Sequence, residues 1–338
     1  MKGSELRQDL VSGDWILIVP GRARKPKELR RKPKPRKKPK QSCPFEDPQR
    51  SGNGPIMAVY DRGGHLVDPN SKNWGLQIFP NKYPAVSHSR VEPEVRKKGP
   101  YLFMKGVGHH DLLVTRDHNK NFPKLSKLEG YTVLKAFQNR YLSLLESYDV
   151  AYVSMFSNWG EKAGASIYHP HYQLLGVPII PPVVEHSLKG SEVYFKKNGE
   201  CVYCTEITME LHDKKRIVFE NACVVAYAPF VSRVEFEIRV FPKSHIPFFE
   251  ETPDSILLCV SEALQKVLRG LEASLNFPDY NFFVRTAPTK NKKSHTHFHW
   301  YIEIQPKLNI SAGFELNTGI EVNVVPPEDA AKLLRRYV

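Results

Sequence analysis

The sequence predicts an α+β protein built from two tandem, duplicated domains, each an antiparallel sheet carrying one long helix. Two observations carry this expectation. Chemical landmarks recur in the same order in both halves, and helix-period and strand-period segments fall at matching places between them. In the first half Cys43 opens Cys-Pro-Phe-Glu, Asn81 lies in PNKYP, and His118 closes LLVTRDH. Leu134, Phe137, Tyr141, Leu144 and Leu145 then recur at helical spacing, DVAYVSMFSN reads as a strand, and HPHYQLLGVP follows.

The second half repeats this order. Cys201-Val-Tyr-Cys204 comes first, then the strand-like NACVVAYAPF, then His245 at the end of IRVFPKSH. Leu257, Val260, Leu264, Val267, Leu268 and Leu271 mark the helix, DYNFFVRTA the strand, and HFHWYIEIQP the histidine pair. The lone histidine precedes the first histidine of the pair by 51 residues in one half and 52 in the other, and that histidine stands nine positions before a proline in both, Pro178 and Pro306. On this pattern the domains are residues 1–185 and 186–338, and the apolar helical stripes are plain core.

A chain of 338 residues with 41% hydrophobic content fits two packed domains. No apolar run approaches the roughly 20 residues of a membrane span, so a soluble, cytoplasmic protein is expected. The five cysteines are an odd number, and in a reducing compartment the Cys201/Cys204 pair suggests metal or redox chemistry more than a disulfide. The formal charge of +13 is concentrated between Arg22 and Lys40, where twelve Lys or Arg accompany one Glu. That Pro-rich basic segment carries no aromatic residue on which a base would stack, so it reads as a solvated loop more than a nucleic-acid site.

Two imidazoles one residue apart, His169 and His171, follow a glycine-rich polar loop. Such a tripeptide is often structural. It also allows one ring to be anchored while the other, neutral at cytosolic pH, attacks phosphorus, with Gly164 and Ser166 holding phosphate oxygens. Cys201, Cys204, His245 and His297 offer the two thiolates and two imidazoles of a closed zinc site, with reduced, unliganded cysteines as the alternative. The matching first-half set is Cys43, Glu46, His118 and His169, where Glu46 either ligates a metal or is salt-linked. In both states His169 is the structural member of its pair and His171 the free one.

Several stretches together resemble the galactose-1-phosphate uridylyltransferase family of the histidine-triad superfamily: GDWILIVPGRARKP, CPFE, FPNKYPAV, DHNKNFPKLS, NWGEKAGASIYHPHYQ, HFHWYIEIQPKL and AGFELNTGIEVNVVPPEDAAKLLR. The resemblance covers nearly the whole chain. It implies histidine-triad-like domains and a ping-pong nucleotidyl transfer in which His171 attacks the α-phosphorus of a nucleotide sugar and releases sugar 1-phosphate. It further implies that Gln173 bonds the phosphoryl oxygens, that Asn158, Gly164 and Ser166 line the phosphate site, that Arg22 and Lys25 lie near the phosphates, and that Asn81 contacts the nucleoside. His299 and Tyr301 are matched to His171 and Gln173, leaving one catalytic and one supporting half. The Cys201-type zinc site is similar to that of relatives acting as adenylyl-transferring phosphorylases, and family members are usually homodimers.

The function expected first is uridylyl exchange between hexose 1-phosphates. The alternative passes an adenylyl group from ADP-glucose or a dinucleoside polyphosphate to phosphate, and polyanion or nucleic-acid binding through the basic segment comes last.

Overall fold

The computed structural model describes residues 3–20, 39–89, 91 and 93–338. Arg22 and Lys25, with most of the basic segment, lie outside the described residues. In chain order the elements are β1 (Glu5–Gln8), β2 (Trp15–Ile18), β3 (Ala58–Tyr60), β4 (Leu66–Val67), β5 (Leu76–Pro80), β6 (Arg96–Lys98), β7 (Tyr101–Phe103), β8 (His109–Thr115) and α1 (Lys127–Leu142). They continue with β9 (Tyr152–Trp159), β10 (His171–Val177), α2 (Pro182–Asn198), α3 (Val202–Asp213), β11 (Ile217–Glu220), β12 (Val224–Tyr227), β13 (Ile238–Pro242) and α4 (Asp254–Leu275). The last are β14 (Tyr280–Arg285), β15 (Tyr301–Pro306), α5 (Gly313–Thr318), β16 (Val322–Asn323) and α6 (Pro327–Leu334). Among the described residues no helix is long and apolar enough to cross a membrane.

Eleven strands form one antiparallel sheet in the order β11-β12-β13-β15-β14-β9-β10-β8-β5-β3-β4. The α+β class is as the sequence predicts, with the two halves fused edge to edge: β9 pairs with β14, Phe156 opposite Phe283. Strand order runs outward from that seam identically on both sides, β9-β10-β8-β5 and β14-β15-β13-β12. The N-terminal strands β1 and β2 join β16 near the C-terminus in a separate small sheet.

Helices α1 and α4 cover one face. Helix α1 starts on a capping box, with the Glu129 N–H donating to Ser126 Oγ (3.1 Å) and the Ser126 N–H to the Glu129 carboxylate (2.7 Å). The apolar stripes read from the sequence are core: Leu134, Phe137, Tyr141, Leu257, Val260, Leu264, Val267, Leu268 and Leu271 are fully buried. The helices approach closely at Gly130, where a Cβ would stand 2.6 Å from Ser261 Oγ. Under them lie Tyr172 and Leu174 of β10; the intervening His171 and Gln173 point to the opposite face, beside Phe45, Phe79, Leu112 and Val114.

The ladders correct the equivalence drawn from equal spacing. Gln173 pairs with Leu112, six residues before His118. Arg239 stands six residues before His245 and pairs with Glu303. The counterpart of Gln173 is therefore Glu303, that of His171 is Tyr301, and that of His169 is His299. The expected matches of His299 to His171 and Tyr301 to Gln173 are each two residues out. A slip of two preserves which face a residue occupies, so alternation along the strand gave no warning of it.

Buried charge occupies the place in the second half that the histidine site occupies in the first. Arg285 Nε lies 3.4 Å from Glu303 and Arg239 Nε 3.3 Å from Glu237. Burial, then the charge of Glu303, pushes the Glu237 carboxyl up to about 7. Burial opposes ionisation of Glu303 as well, but Arg285 and Arg239 outweigh it and hold that carboxyl low. Since Glu237 keeps its proton in the fold to a higher pH than in the unfolded chain, its stabilising share is present in acid and lost as pH rises through about 7. Glu237→Gln removes this titration. The variant's urea midpoint, relative to wild type, is expected to be higher at pH 8 than at pH 5; an equal offset at both would mean that another group titrates.

Candidate active site and metal centres

His171 begins β10 and is 7% exposed. Its Nδ1–H donates to the His169 carbonyl at 2.9 Å, which leaves Nε2 as the atom with the lone pair. Burial lowers its pKa, partly opposed by that carbonyl, so the ring is neutral at ordinary pH. The Ser157 hydroxyl donates to the His171 carbonyl (3.3 Å), and the Phe45 ring stands edge-on with centroids 5.2 Å apart. Backbone and aromatic contacts thus fix one tautomer and one orientation of a nucleophilic imidazole.

The loop leaving β9 turns on two glycines with positive φ, Gly160 (89°) and Gly164 (87°). A Cβ on Gly160 would fall 2.3 Å from the Asp279 carboxylate, which accepts the Lys162 N–H at 2.7 Å. The second half therefore pins this loop. Asn281 does the same for Asn158: its Nδ2 donates to Asn158 Oδ1 and to the Ala163 carbonyl, both at 2.8 Å. The other end of the Asn158 amide is the nearest atom a Cβ on Gly164 would meet, at 3.8 Å. Ser166 is exposed on the same loop. Gln173 follows His171 on its face of β10, and its Oε1 lies 3.0 Å from His110 Nε2; Asn81 Nδ2 is 3.1 Å from that same nitrogen.

Beneath the nucleophile, Cys43, His118 and His169 bring donor atoms together, and Glu46 joins them. His169 Nε2–H donates to the Thr115 carbonyl (2.6 Å), turning Nδ1 toward Cys43 Sγ (3.5 Å) and His118 Nδ1 (3.3 Å). Glu46 Oε1 is 3.2 Å from His118 Nδ1 and 3.6 Å from His169 Nδ1, is buried, and makes no hydrogen bond. Burial pushes the His169 pKa down to about 4, keeping its ligating nitrogen unprotonated. Around a tetrahedral zinc, ordinary bond lengths put nitrogens roughly 3.3 Å apart and a sulfur roughly 3.6 Å from a nitrogen. The donor set fits that ion.

The second cluster is Cys201, Cys204, His245 and His299. Cys204 Sγ lies 3.4 Å from His245 Nδ1 and 3.6 Å from His299 Nδ1, again the edges of a zinc tetrahedron. His297, expected here from spacing, is a correction: its Nε2 lies 3.2 Å from the Leu188 carbonyl and its ring faces Phe195. Two residues on, His299 is the true equivalent of His169; burial lowers its pKa, partly opposed by Cys201 and by the Pro242 carbonyl, which stands three residues before His245 as Thr115 stands three before His118. The Cys201 thiol is held far below the usual range by Cys204 first and then by His245 and His299, while Cys204 is raised. One thiolate at neutral pH is what a divalent cation would complete with a second.

A third group, His88, His109 and Asp149, differs in its chemistry. Arg140 Nη2 donates to His109 Nδ1 (3.4 Å), so the proton sits on Nε2, 3.4 Å from Asp149 Oδ1. Asp149 also accepts from Ser147 Oγ (2.6 Å) and the Ser89 N–H (3.3 Å). Its acceptors are used within the protein. His110, Asn281 and Asp279 were not found by sequence reasoning, because none of them carries a spacing signal and their partners are distant in sequence.

A family model described as a domain of unknown function (DUF4921) matches residues 84–336. ADP-glucose phosphorylase of Arabidopsis thaliana is 31% identical over 98% of this chain and 92% of its own length. Galactose-1-phosphate uridylyltransferase of Thermotoga maritima is 25% identical over 98% of both chains. Among solved structures, the Arabidopsis thaliana ADP-glucose phosphorylase with bound ADP-glucose superposes with a TM-score of 0.81 at 28% identity, covering 99% of each chain. A uridylyltransferase structure follows with a TM-score of 0.74 at 25% identity and 98% coverage of each.

Proposed function

This chain belongs to the family of galactose-1-phosphate uridylyltransferases and ADP-glucose phosphorylase and is a nucleotidyltransferase enzyme, and from that premise we propose that it transfers a nucleotidyl group through His171. In this reading Nε2 of His171 attacks the α-phosphorus of a nucleoside-diphosphate sugar. The bond from that phosphorus to the bridging oxygen breaks, and sugar 1-phosphate leaves with the electron pair. An oxygen of the acceptor then attacks the same phosphorus and breaks the P–N bond, restoring the imidazole. The observation that carries the reading is the 2.9 Å bond from His171 Nδ1–H to the His169 carbonyl, which frees Nε2 in a neutral ring.

The Gln173 amide, Asn158, and the backbone of Gly164 with Ser166 are the donors for the phosphoryl oxygens as charge builds in the transition state. Zinc held by Cys43, Glu46, His118 and His169 would supply a fixed cation that locks the His169 ring. His169 in turn holds His171 through its carbonyl. The donor favoured is ADP-glucose with phosphate as acceptor, supported by the 31% identical full-length relative and the Cys2His2 cluster of the second half. Uridylyl exchange with hexose 1-phosphate, which the sequence put first, is the second reading, supported by the uridylyltransferases at about the same coverage.

Intact-protein mass after separate incubation with ADP-glucose and UDP-glucose tests this. An AMP-sized adduct is expected with the first. A UMP-sized adduct alone would move the assignment to uridylyl exchange, and no adduct from folded protein would reject nucleotidyl-histidine chemistry.

A further inference from the structure

We propose that His110 is a positioning residue for the transfer: it locks the Gln173 side-chain amide so that its NH2 group, and not its carbonyl, faces the phosphoryl group. The inference rests on the reading of His171 as nucleophile. His110 and Gln173 lie diagonally across the β8–β10 ladder, on the same face as His171. The Ala85 N–H donates to His110 Nδ1 at 3.0 Å, so in the neutral ring the proton must be on Nε2. Nε2–H then has one acceptor in the pair it meets, Gln173 Oε1 at 3.0 Å. With its carbonyl consumed, the Gln173 amide has only donors left to offer. A glutamine free to rotate would present its carbonyl oxygen to a phosphate for part of the time, which is repulsive.

A second observation is independent of this bond. In the second half the counterparts of His110 and Gln173, eight residues before the lone histidine and at the matching ladder position, are Glu237 and Glu303. Those two acids are paired with arginines, Glu237 with Arg239 and Glu303 with Arg285, and the half that carries them has Tyr301 where the nucleophile stands. The imidazole–amide pair is thus found on the side with the nucleophile and replaced on the side without it. Asn81 Nδ2 also lies 3.1 Å from His110 Nε2, but with its Oδ1 accepting the Tyr83 N–H (3.0 Å) it offers that nitrogen no acceptor, which leaves Gln173 Oε1 as the acceptor of Nε2–H.

The test compares single-turnover rates of adduct formation with ADP-glucose, or with UDP-glucose if that is the donor that labels wild type. His110→Phe keeps a ring and loses the donor; it is expected to slow adduct formation ~10- to 100-fold with the donor KM changed less than about threefold. His110→Gln keeps an N–H and is expected to recover to within about fivefold of wild type. The decisive arm is the cycle with Gln173→Ala, in which His110→Phe should cost less than about threefold further, since there is no amide left to orient. Additive losses, a failure of His110→Gln to recover relative to His110→Phe, or a wild-type rate in His110→Phe would each overturn the proposal. Wild-type protein that forms no adduct would instead overturn the nucleophile reading beneath it, and so both. Melting curves below which all variants are assayed keep loss of fold apart from loss of orientation.

Discussion

His171→Asn is expected to lower nucleotidyl transfer by ~10³-fold or more and to remove the covalent adduct altogether, because among the described residues of this site His171 Nε2 is the ring nitrogen with a fixed tautomer and a lone pair not turned toward the metal-ligand cluster. His169 is the near alternative, and its geometry excludes it: Nε2 is bonded to the Thr115 carbonyl and Nδ1 faces Cys43 and His118. Asparagine fills similar space and its Nδ2 can still donate to the His169 carbonyl, so the local backbone has a partner. The melting temperature should therefore fall by only a few degrees while the adduct disappears. Gln173→Ala provides the calibration, with ~10²-fold expected for one lost donor. An adduct that persists in His171→Asn, mapped by peptide mass to another residue, would refute the assignment.

The second large effect is on stability. Cys201 caps α3, Cys204 lies in its first turn, His245 follows β13 and His299 precedes β15, so one ion would tie a helix to two strands. Cys204→Ser is expected to lower bound zinc by one equivalent per chain and the melting temperature by more than about 5 °C, since the binding energy of a closed site is also folding energy. His299→Asn should do the same, and His297→Asn should leave zinc content unchanged because its ring points to the Leu188 carbonyl. Equal zinc loss from His297→Asn and none from His299→Asn would overturn the ladder-based assignment. Cys204→Ser with a wild-type zinc content would remove this cluster as a metal site. In the first half, Glu46→Ala separates ligation from salt-linkage: ligation predicts a further equivalent lost, salt-linkage predicts none.

Chemistry that depends on residue type and short-range order was legible in the sequence. The His169-Pro-His171 step, the Cys43 to Glu46 and Cys201 to Cys204 turns, the helical stripes and the duplicated order of landmarks all survive in the fold as neighbours. They are legible because a pair within four residues meets on one turn or strand end whatever the rest of the chain does. The apolar stripe of α4 is equally self-declaring, since a helix buried on one face must show the period of 3.6.

Pairing between distant strands decided the rest. Nearly equal intervals of 51 and 52 residues pointed to His297 as the counterpart of His169, and only the hydrogen-bonded ladders, Leu112 with Gln173 and Arg239 with Glu303, moved the equivalence on to His299. The loop before β15 absorbs the difference, and loop length leaves no trace in side-chain periodicity. His110, Asn281 and Asp279 escaped for a related reason: each acts on a residue at the site through a partner strand, and their roles exist only when β8, β10, β9 and β14 lie side by side. Residue identity set which atoms this protein has available for phosphoryl chemistry and metal binding; the register of one continuous sheet set which of them meet, because a ladder bond fixes position to a single residue and composition does not.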